Sequence, residues 1–266
     1  MPGYEGGAQS SREAKPPGGA ESKVSSTEPG QALPELPSLF EPVIALREGG
    51  DAMARAIQLA PLQGAGTLVW VRSHSRIEVA VVLEPEWPLA ASRPAIFAAM
   101  GALADALGAY GPPDVPLTFR WPATVIVNEG AIGRARLAWP QHAPDHAVPD
   151  WLVVGVEARL DFPRGWEPGH GTGQTSLREE GWTEEDVSPA ELTAAWARHL
   201  MAALAEWQRQ GPGSGFPRLA ERFLARLPVA PWMGPGRRGL DPATGDIIMD
   251  HEGARRRHVL VEALGA

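Results

Sequence analysis

The 266-residue sequence predicts an α+β fold in which a mixed, mostly antiparallel sheet has helices packed on it. Strand-like segments follow one another at hairpin spacing, whereas segments with helical periodicity are grouped apart from them. This order favours an α+β layer over a doubly wound parallel sheet. The length and the apolar content of 44% are sufficient for a large core. We expect a main domain over residues 34–230 and a small C-terminal β module over 231–266.

The N-terminal part is predicted to contain a disordered tail, a helix and two strands. Residues 1–33 are Gly, Pro, Ser and Glu with few apolar side chains, so they cannot repay the entropy of ordering. After an apolar lead-in, GGDAMARAIQLA (49–60) has helical periodicity, and the glycines of QGAGT end that helix. LVWV (68–71) and IEVAVVLEP (77–85) are short, apolar and β-branched, which is typical of strands covered on at least one face.

A second helix and a set of strands are predicted in the middle of the chain. Ser92 and Pro94 begin the helix, its apolar residues fall on one face, and Gly111 ends it. Gly155 lies inside a later strand and marks a bulge or a backbone that something approaches closely. The predicted strands are Leu117 to Trp121 with Val125 to Val127, then Ile132 to Trp139 after the hairpin turn Asn128-Glu129-Gly130, and Asp150 to Phe162.

The C-terminal part is predicted to hold a Gly-rich loop, two helices and a β-hairpin. GWEPGHGTGQTS (165–176) could cradle a phosphate, but it lacks the P-loop ending and the dinucleotide spacing, so a lid or connector is favoured. Ser188-Pro189-Ala190-Glu191 is a capping box that begins one helix, and another surrounds Phe223. GLDPATGDIIMD and RRRHVLVEAL are predicted to form a β-hairpin or small β module, with Pro242 to Gly245 as its turn.

Composition excludes several function classes. The formal charge of −8 and the pI near 5.4 argue against nucleic-acid binding. No apolar run approaches the ~20 residues that a membrane span needs, and the first residues lack a secretory signal. We therefore expect a cytoplasmic protein. The absence of cysteine excludes thiolate chemistry, and His142 and His146 lie in a Pro-rich stretch that favours a solvated loop over a metal site.

Three segments, in order, resemble the biotin and lipoate protein ligase family. They are RWPATVIVNEGAIGRARL (120–137), WLVVGVEARL (151–160) and QTSLREEGW (174–182), which are similar to the family's Lys-Trp-Pro-Asn-Asp-Val strand and hairpin, its GIGINV strand and its Thr-Ser-Leu-Arg-Glu-Glu segment. The resemblance covers roughly residues 40–230. It implies the class II synthetase-like fold of biotin ligases.

The resemblance also implies a chemistry. Members activate a carboxylic acid such as biotin, lipoate or octanoate with ATP and Mg²⁺, form an acyl-adenylate, and transfer the acyl group to a lysine of a biotinyl or lipoyl carrier domain. A fixed cation lowers the barrier because negative charge develops at a phosphate. The related octanoyl transferases use cysteine, which this chain lacks.

The chain departs from the family pattern at several positions. Arg120 replaces the motif lysine, so a planar fork replaces a compact ammonium. Ala123 and Thr124 replace the Asn-Asp pair, and Glu157 and Arg159 replace the second glycine and the asparagine of GIGINV. The family's GRGRRG loop is missing, and only RSHSR (72–76) joins the two strands there.

We therefore expect a catalytic role for Arg120 and substrate or nucleotide binding by eight other residues, with no metal ligand set. In one interpretation the arginines form a basic pocket for an adenylate or another anion. In the other they lie on a solvated strand face, paired with Glu78, Glu157 or Asp161. The chain is accordingly either a ligase or a degenerate ligase-fold module that binds a carrier domain or small anion without turnover. The eight predicted binding residues are Arg72, Arg76, Thr124, Gly133, Arg134, Arg136, Gly155 and Arg159.

Overall fold

The computed structural model describes residues 1, 3, 32–163, 165–166, 171–183, 185, 187–208 and 215–265. Nearly all of the tail predicted to be disordered lies outside these ranges, as does part of the predicted Gly-rich loop.

A seven-stranded sheet forms the centre of the protein, in the order β1-β2-β3-β7-β6-β5-β4. Only β1 and β2 pair in parallel, and all other neighbours are antiparallel. The predicted α+β class with a mostly antiparallel sheet is confirmed. The strands are β1 (Val43–Leu46), β2 (Leu68–Val71), β3 (Arg76–Leu83), β4 (Leu117–Arg120), β5 (Thr124–Val127), β6 (Gly130–Ala138) and β7 (Leu152–Arg159).

Helices lie on both faces of this sheet and leave part of one face open. On one face the main core includes the large buried side chains Phe97, Phe119, Trp196 and Phe223. On the other face one helix, α1, packs against β2, β3 and β7. The helices are α1 (Ala52–Gln63), α2 (Leu89–Ser92), α3 (Ala95–Tyr110), α4 (Pro189–Gln208) and α5 (Phe216–Arg226).

Local sequence signals explain where two helices begin. In the predicted capping box, the Ser188 N–H donates to Glu191 Oε2 at 2.8 Å, and the Glu191 N–H donates to Ser188 Oγ at 3.2 Å. Asp51 caps α1 by accepting a hydrogen bond from the Ala54 N–H at 2.8 Å.

The β5–β6 hairpin has a tighter turn than the sequence indicates. Asn128 and Glu129 both have positive φ, 45° and 72°, so the turn has two central residues, and β6 begins at Gly130 rather than Ile132. The predicted grouping of β4 with β5 also changes, because a turn at 121–123 separates them and they pair with each other.

A second, three-stranded sheet forms the C-terminal unit. It contains β8 (Arg237–Leu240), β9 (Ile247–His251) and β10 (Ala254–His258) in the order β10-β9-β8. The predicted turn at 242–245 joins β8 to β9. The prediction of β structure for RRRHVLVEAL (255–264) is wrong in its second half, because Leu260–Leu264 forms the short helix α6, whose Leu260 packs into the main core.

Candidate functional site

A row of side chains crosses the open half of the sheet from its β4 edge. Arg120 is directly opposite Thr124, Thr124 opposite Arg134, Arg134 opposite Glu157, and Glu157 opposite Glu78. Directly opposed residues of neighbouring strands lie on the same face. The sheet therefore aligns two cations, a hydroxyl and two carboxylates in one line.

The residues on either side of Arg120 in the chain pack into the core on the helix-covered face of the sheet. Phe119 is buried and stacks on Phe223 with ring centroids 5.5 Å apart, while Trp121 lies 6.4 Å from the same ring. Because strand side chains alternate, this anchoring directs Arg120 to the open face. Arg120 is exposed, and its guanidinium has no hydrogen-bond or ion-pair partner in the described part of the chain.

Next to this row lies a groove of about 450 Å³. Five of the predicted binding residues line it: Arg76, Thr124, Gly133, Arg134 and Arg159. Among the described residues, two acids also contribute to the lining, Glu157 and Asp161. The groove is thus mixed in charge rather than uniformly basic.

Two of the lining arginines are neutralised by carboxylates on the same face. Arg134 Nε donates to Glu157 Oε1 at 2.7 Å, in an ion pair that is largely exposed. Arg76 Nε donates to Glu78 Oε2 at 3.0 Å, and its NH2 group donates to the Gly50 carbonyl at 3.3 Å. These contacts match the predicted alternative in which arginines pair with Glu78 and Glu157.

The N-terminus of α1 is already occupied by protein carboxylates. The Ala52 N–H donates to Glu78 Oε1 at 2.8 Å, and Arg136 NH1 donates to Asp51 Oδ1 at 3.2 Å. Burial works against ionisation, but the hydrogen bond from the Ala54 N–H and the Arg136 charge hold the pKa of Asp51 below its usual value. Arg136 is therefore committed to Asp51, and it does not line the groove.

Within the described ranges, Arg159 donates to neutral oxygens rather than to a carboxylate. Its NH1 group donates to the Thr175 carbonyl and its NH2 group to Gln174 Oε1, both at 3.0 Å, and its guanidinium lies 4.7 Å from the Phe162 ring centroid. These bonds tie the C-terminal end of the predicted Gly-rich loop to the end of β7. That segment also bonds to β6, because the Ala131 N–H donates to the Gly173 carbonyl at 2.8 Å. Gln174 of this segment lines the groove.

Two glycines that were predicted as binding residues allow neighbouring strands of the sheet to approach closely. A Cβ at Gly133 would lie 1.9 Å from the Glu157 carbonyl oxygen, and one at Gly155 would lie 2.7 Å from the Val79 carbonyl oxygen. Strand pairing continues without a bulge through Gly155, so its close neighbour is β3. Gly155 does not line the groove, and neither does Arg72, which follows β2.

Some lining residues were not among the predicted site residues. Ser75 and Gln174 line the groove, and Asp161 was considered only as an ion-pair partner. The signal available for Gln174 was its position at the start of the QTSLREE segment.

No metal or membrane feature occurs in the described ranges. No group of three or more His, Asp or Glu side chains there could hold a metal ion, and His142 and His146 are exposed. No helix in the same ranges is long and apolar enough to cross a membrane.

A family model described as the biotin/lipoate A/B protein ligase family matches residues 36–223. The chain belongs to this family. It is 30% identical to a biotin–[acetyl-CoA-carboxylase] ligase of Paracoccus denitrificans over 158 residues, which are 59% of this chain and 62% of that protein. The match therefore spans less than two thirds of that relative.

Solved structures share the fold. A biotin protein ligase-like protein of unknown function from Silicibacter sp. TM1040 has a TM-score of 0.72 and 26% identity, covering 88% of this chain and 99% of its own. The biotin protein ligase of Aquifex aeolicus, solved with biotin and ATP, has a TM-score of 0.59 and 14% identity, covering 83% and 96%. At that identity the likeness shows the fold alone.

Proposed function

We propose that this chain is a biotin/lipoate ligase-like enzyme that uses ATP to activate a carboxylic acid of the biotin, lipoate or octanoate type. The acyl group then passes to a lysine of a biotinyl or lipoyl carrier domain. The observation that carries the proposal is Arg120, a cation with no partner among the described residues. Arg120 does not line the groove itself, but it is in register with Thr124 and Arg134, which do.

The first proposed step forms an acyl-adenylate. A carboxylate oxygen of the acid attacks the α-phosphorus of ATP, the bond to the β-phosphate oxygen breaks, and pyrophosphate leaves with the electron pair. Negative charge develops on the α-phosphate, where Arg120 would stabilise it. In the second step the lysine amine attacks the acyl carbon, AMP leaves, and the amine proton passes to solvent.

Few groups around the groove are free to contact the phosphates of a nucleotide. The amide of Ala52 at the start of α1 is taken by Glu78, so it is not free for a phosphate. Among the described residues, Arg120 has no partner, and Arg159 would give up only hydrogen bonds to neutral oxygens if it turned towards a phosphate. Mg²⁺ would come with the phosphates, since it binds largely through phosphate oxygens and water.

The test is an adenylation assay on the full chain. Purified protein is incubated with ATP, Mg²⁺, hydroxylamine and, separately, biotin, lipoate or octanoate. We expect at least one acid to give pyrophosphate and the matching hydroxamate in equal amounts. If pyrophosphate release does not depend on any acid, adenylation of these substrates is wrong.

A second candidate function is favoured by the ion pairs. Arg76, Arg134 and Arg136 are each paired with a carboxylate, and only residues 72–75 join β2 to β3. Such a chain could bind a carrier domain or a small anion without turnover. Calorimetric titration with biotinyl or lipoyl domains and with ATP separates the two functions, because binding without pyrophosphate release supports this one and turnover contradicts it. A cytoplasmic location stays a prediction from the sequence.

A further inference from the structure

A cavity separate from the groove lies under the helix-covered face of the sheet. Its volume is about 380 Å³, within the range of small-molecule sites. Val81, Leu83 and Leu152 form its floor on β3 and β7, and Leu200 and Leu204 of α4 face it, with Phe40 at the β1 side. None of the predicted ligase-site residues contributes to it.

The walls of this cavity are apolar and aromatic. The indoles of Trp87 and Trp207 meet edge to face, with ring centroids 5.0 Å apart, and both line the cavity. Trp207 is buried, whereas Trp87 is only partly covered and so retains accessible ring surface. The Ser92 hydroxyl already has a hydrogen-bond acceptor within the protein, because it donates to the Trp87 carbonyl at 3.0 Å. The interior thus favours a hydrocarbon chain or ring.

The charges at this cavity all have one sign among the described residues. Glu84 and Glu86 line it and are exposed, and no Arg, Lys or His lines it. In the part of the chain that the structure describes, Glu84 Oε1 accepts one hydrogen bond, from the Ala65 N–H at 3.2 Å, and Glu86 has no partner. A carboxylate ligand would meet repulsion here, whereas an ammonium group would be attracted by both acids and by an indole face.

We propose that this cavity binds an amphiphilic amine, with its hydrocarbon chain between α4 and the sheet and its ammonium group near Glu84 and Glu86. If each non-hydrogen atom is allotted ~30 Å³, the volume that one water molecule occupies in the liquid, the cavity of about 380 Å³ holds about a dozen such atoms. This ligand class differs from the acids proposed for the groove, and the proposal does not depend on the chain being a ligase.

The test compares three probes of equal chain length by calorimetry, below the micelle-forming concentrations of the two charged probes and below the solubility limit of the alcohol. They are decylamine, decanol and decanoate. We expect saturable binding of decylamine, weaker binding of decanol, and decanoate affinity at least about tenfold below that of decylamine, because two like charges replace two attractions. Equal affinities for decylamine and decanoate, or no saturable decylamine binding, would overturn the proposal.

Two variants locate the site. The double variant Glu84→Gln with Glu86→Gln keeps an acceptor for the Ala65 N–H, and it should weaken decylamine binding about tenfold without weakening decanol binding. Met201→Trp, at a lining position, should weaken both ligands by filling the cavity. The matched control Glu221→Gln with Glu262→Gln removes the same charge from exposed helix positions and should leave binding unchanged. Equal decylamine affinity in the double variant and the control contradicts the proposed site.

Discussion

At the scale of single residues, Arg136 was predicted to bind a ligand, but it forms an ion pair with Asp51 of the same chain instead. The two residues are 85 positions apart in the chain, and the guanidinium supports the cap of α1. A ligand could bind Arg136 only by competing with Asp51. No sequence pattern shows this contact, because it depends on the register of β6 and on where α1 begins.

The Asp51 titration tests this pair. We expect Arg136→Ala to raise the pKa of Asp51, since the variant removes the nearby charge and one hydrogen bond. Because the folded-state pKa is lowered, the pair stabilises the fold fully above the unfolded-state pKa, and this stabilisation is lost as pH falls through the folded-state pKa. With Asp51 half exposed, the change in unfolding free energy should be only about 0.2–1 kcal/mol.

Carbon-detected NMR titration of the Asp51 carboxyl gives the measurement. Arg198→Ala, which removes an exposed arginine on α4, serves as the control and should leave the Asp51 pKa unchanged. An identical Asp51 pKa in wild type and Arg136→Ala would show that the ion pair does not persist in solution.

At the scale of elements, the sequence predicted most helices and strands but missed details of register and type. The helical stripe of α3 and the alternation of β6 were readable because each repeats over several residues. β1 was described only as an apolar lead-in, since four residues after Pro42 give too short a pattern. HVLVEAL contains the β-branched residues Val259 and Val261 and was predicted as β structure. Packing of Leu260 in the core and the hydrogen bond from its N–H to Asp246 favour a helix there instead.

Gly133 offers a test of how tightly β6 and β7 are paired beside the groove. Gly133→Ala places a Cβ against the Glu157 carbonyl, so the strands must separate, and we expect a loss of about 1–3 kcal/mol in unfolding free energy. Gly101→Ala in α3 meets nothing within 4 Å and should instead gain about 0.5–1 kcal/mol. Urea denaturation of both variants measures the difference. Equal stabilities would contradict the close approach at Gly133.

At the scale of the whole molecule, the two sheets share one core. Met233, Ile247, Met249 and Leu260 of the C-terminal unit belong to the same buried cluster as α3 and α5. Arg238 NH2 also donates to the Leu224 carbonyl at the end of α5, at 3.0 Å. The sequence placed a boundary near residue 230 but could not show this docking, which depends on tertiary contacts.

We therefore predict that the C-terminal unit does not unfold by itself. Leu260→Ala should cost about 2–5 kcal/mol, and the seven-stranded sheet should lose stability together with β8 to β10. Hydrogen exchange measured across a denaturant series follows both sheets separately. A variant in which only residues 237–258 lose protection would show an independent module instead.

The proposed ligase function requires that Arg120 contact the phosphate that reacts. Replacing Arg120 by lysine restores the family residue, yet we expect it to reduce affinity for the adenylate, because a bidentate fork becomes a point charge. Such a loss would indicate a site rebuilt around guanidinium groups. Unchanged or higher activity would indicate a residual lysine-type site.

The most direct measurement is the acid-dependent rate of pyrophosphate release by Arg120→Ala, compared with Arg198→Ala as a matched exposed arginine on the opposite side of the sheet. We predict that Arg120→Ala lowers this rate by about 10²-fold or more, the scale for removing a preorganised transition-state donor. Its fold should be retained, and its affinity for the free acid should change less. If Arg120→Ala keeps the rate of Arg198→Ala while folding normally, Arg120 is only a surface charge and the proposed catalytic role is wrong.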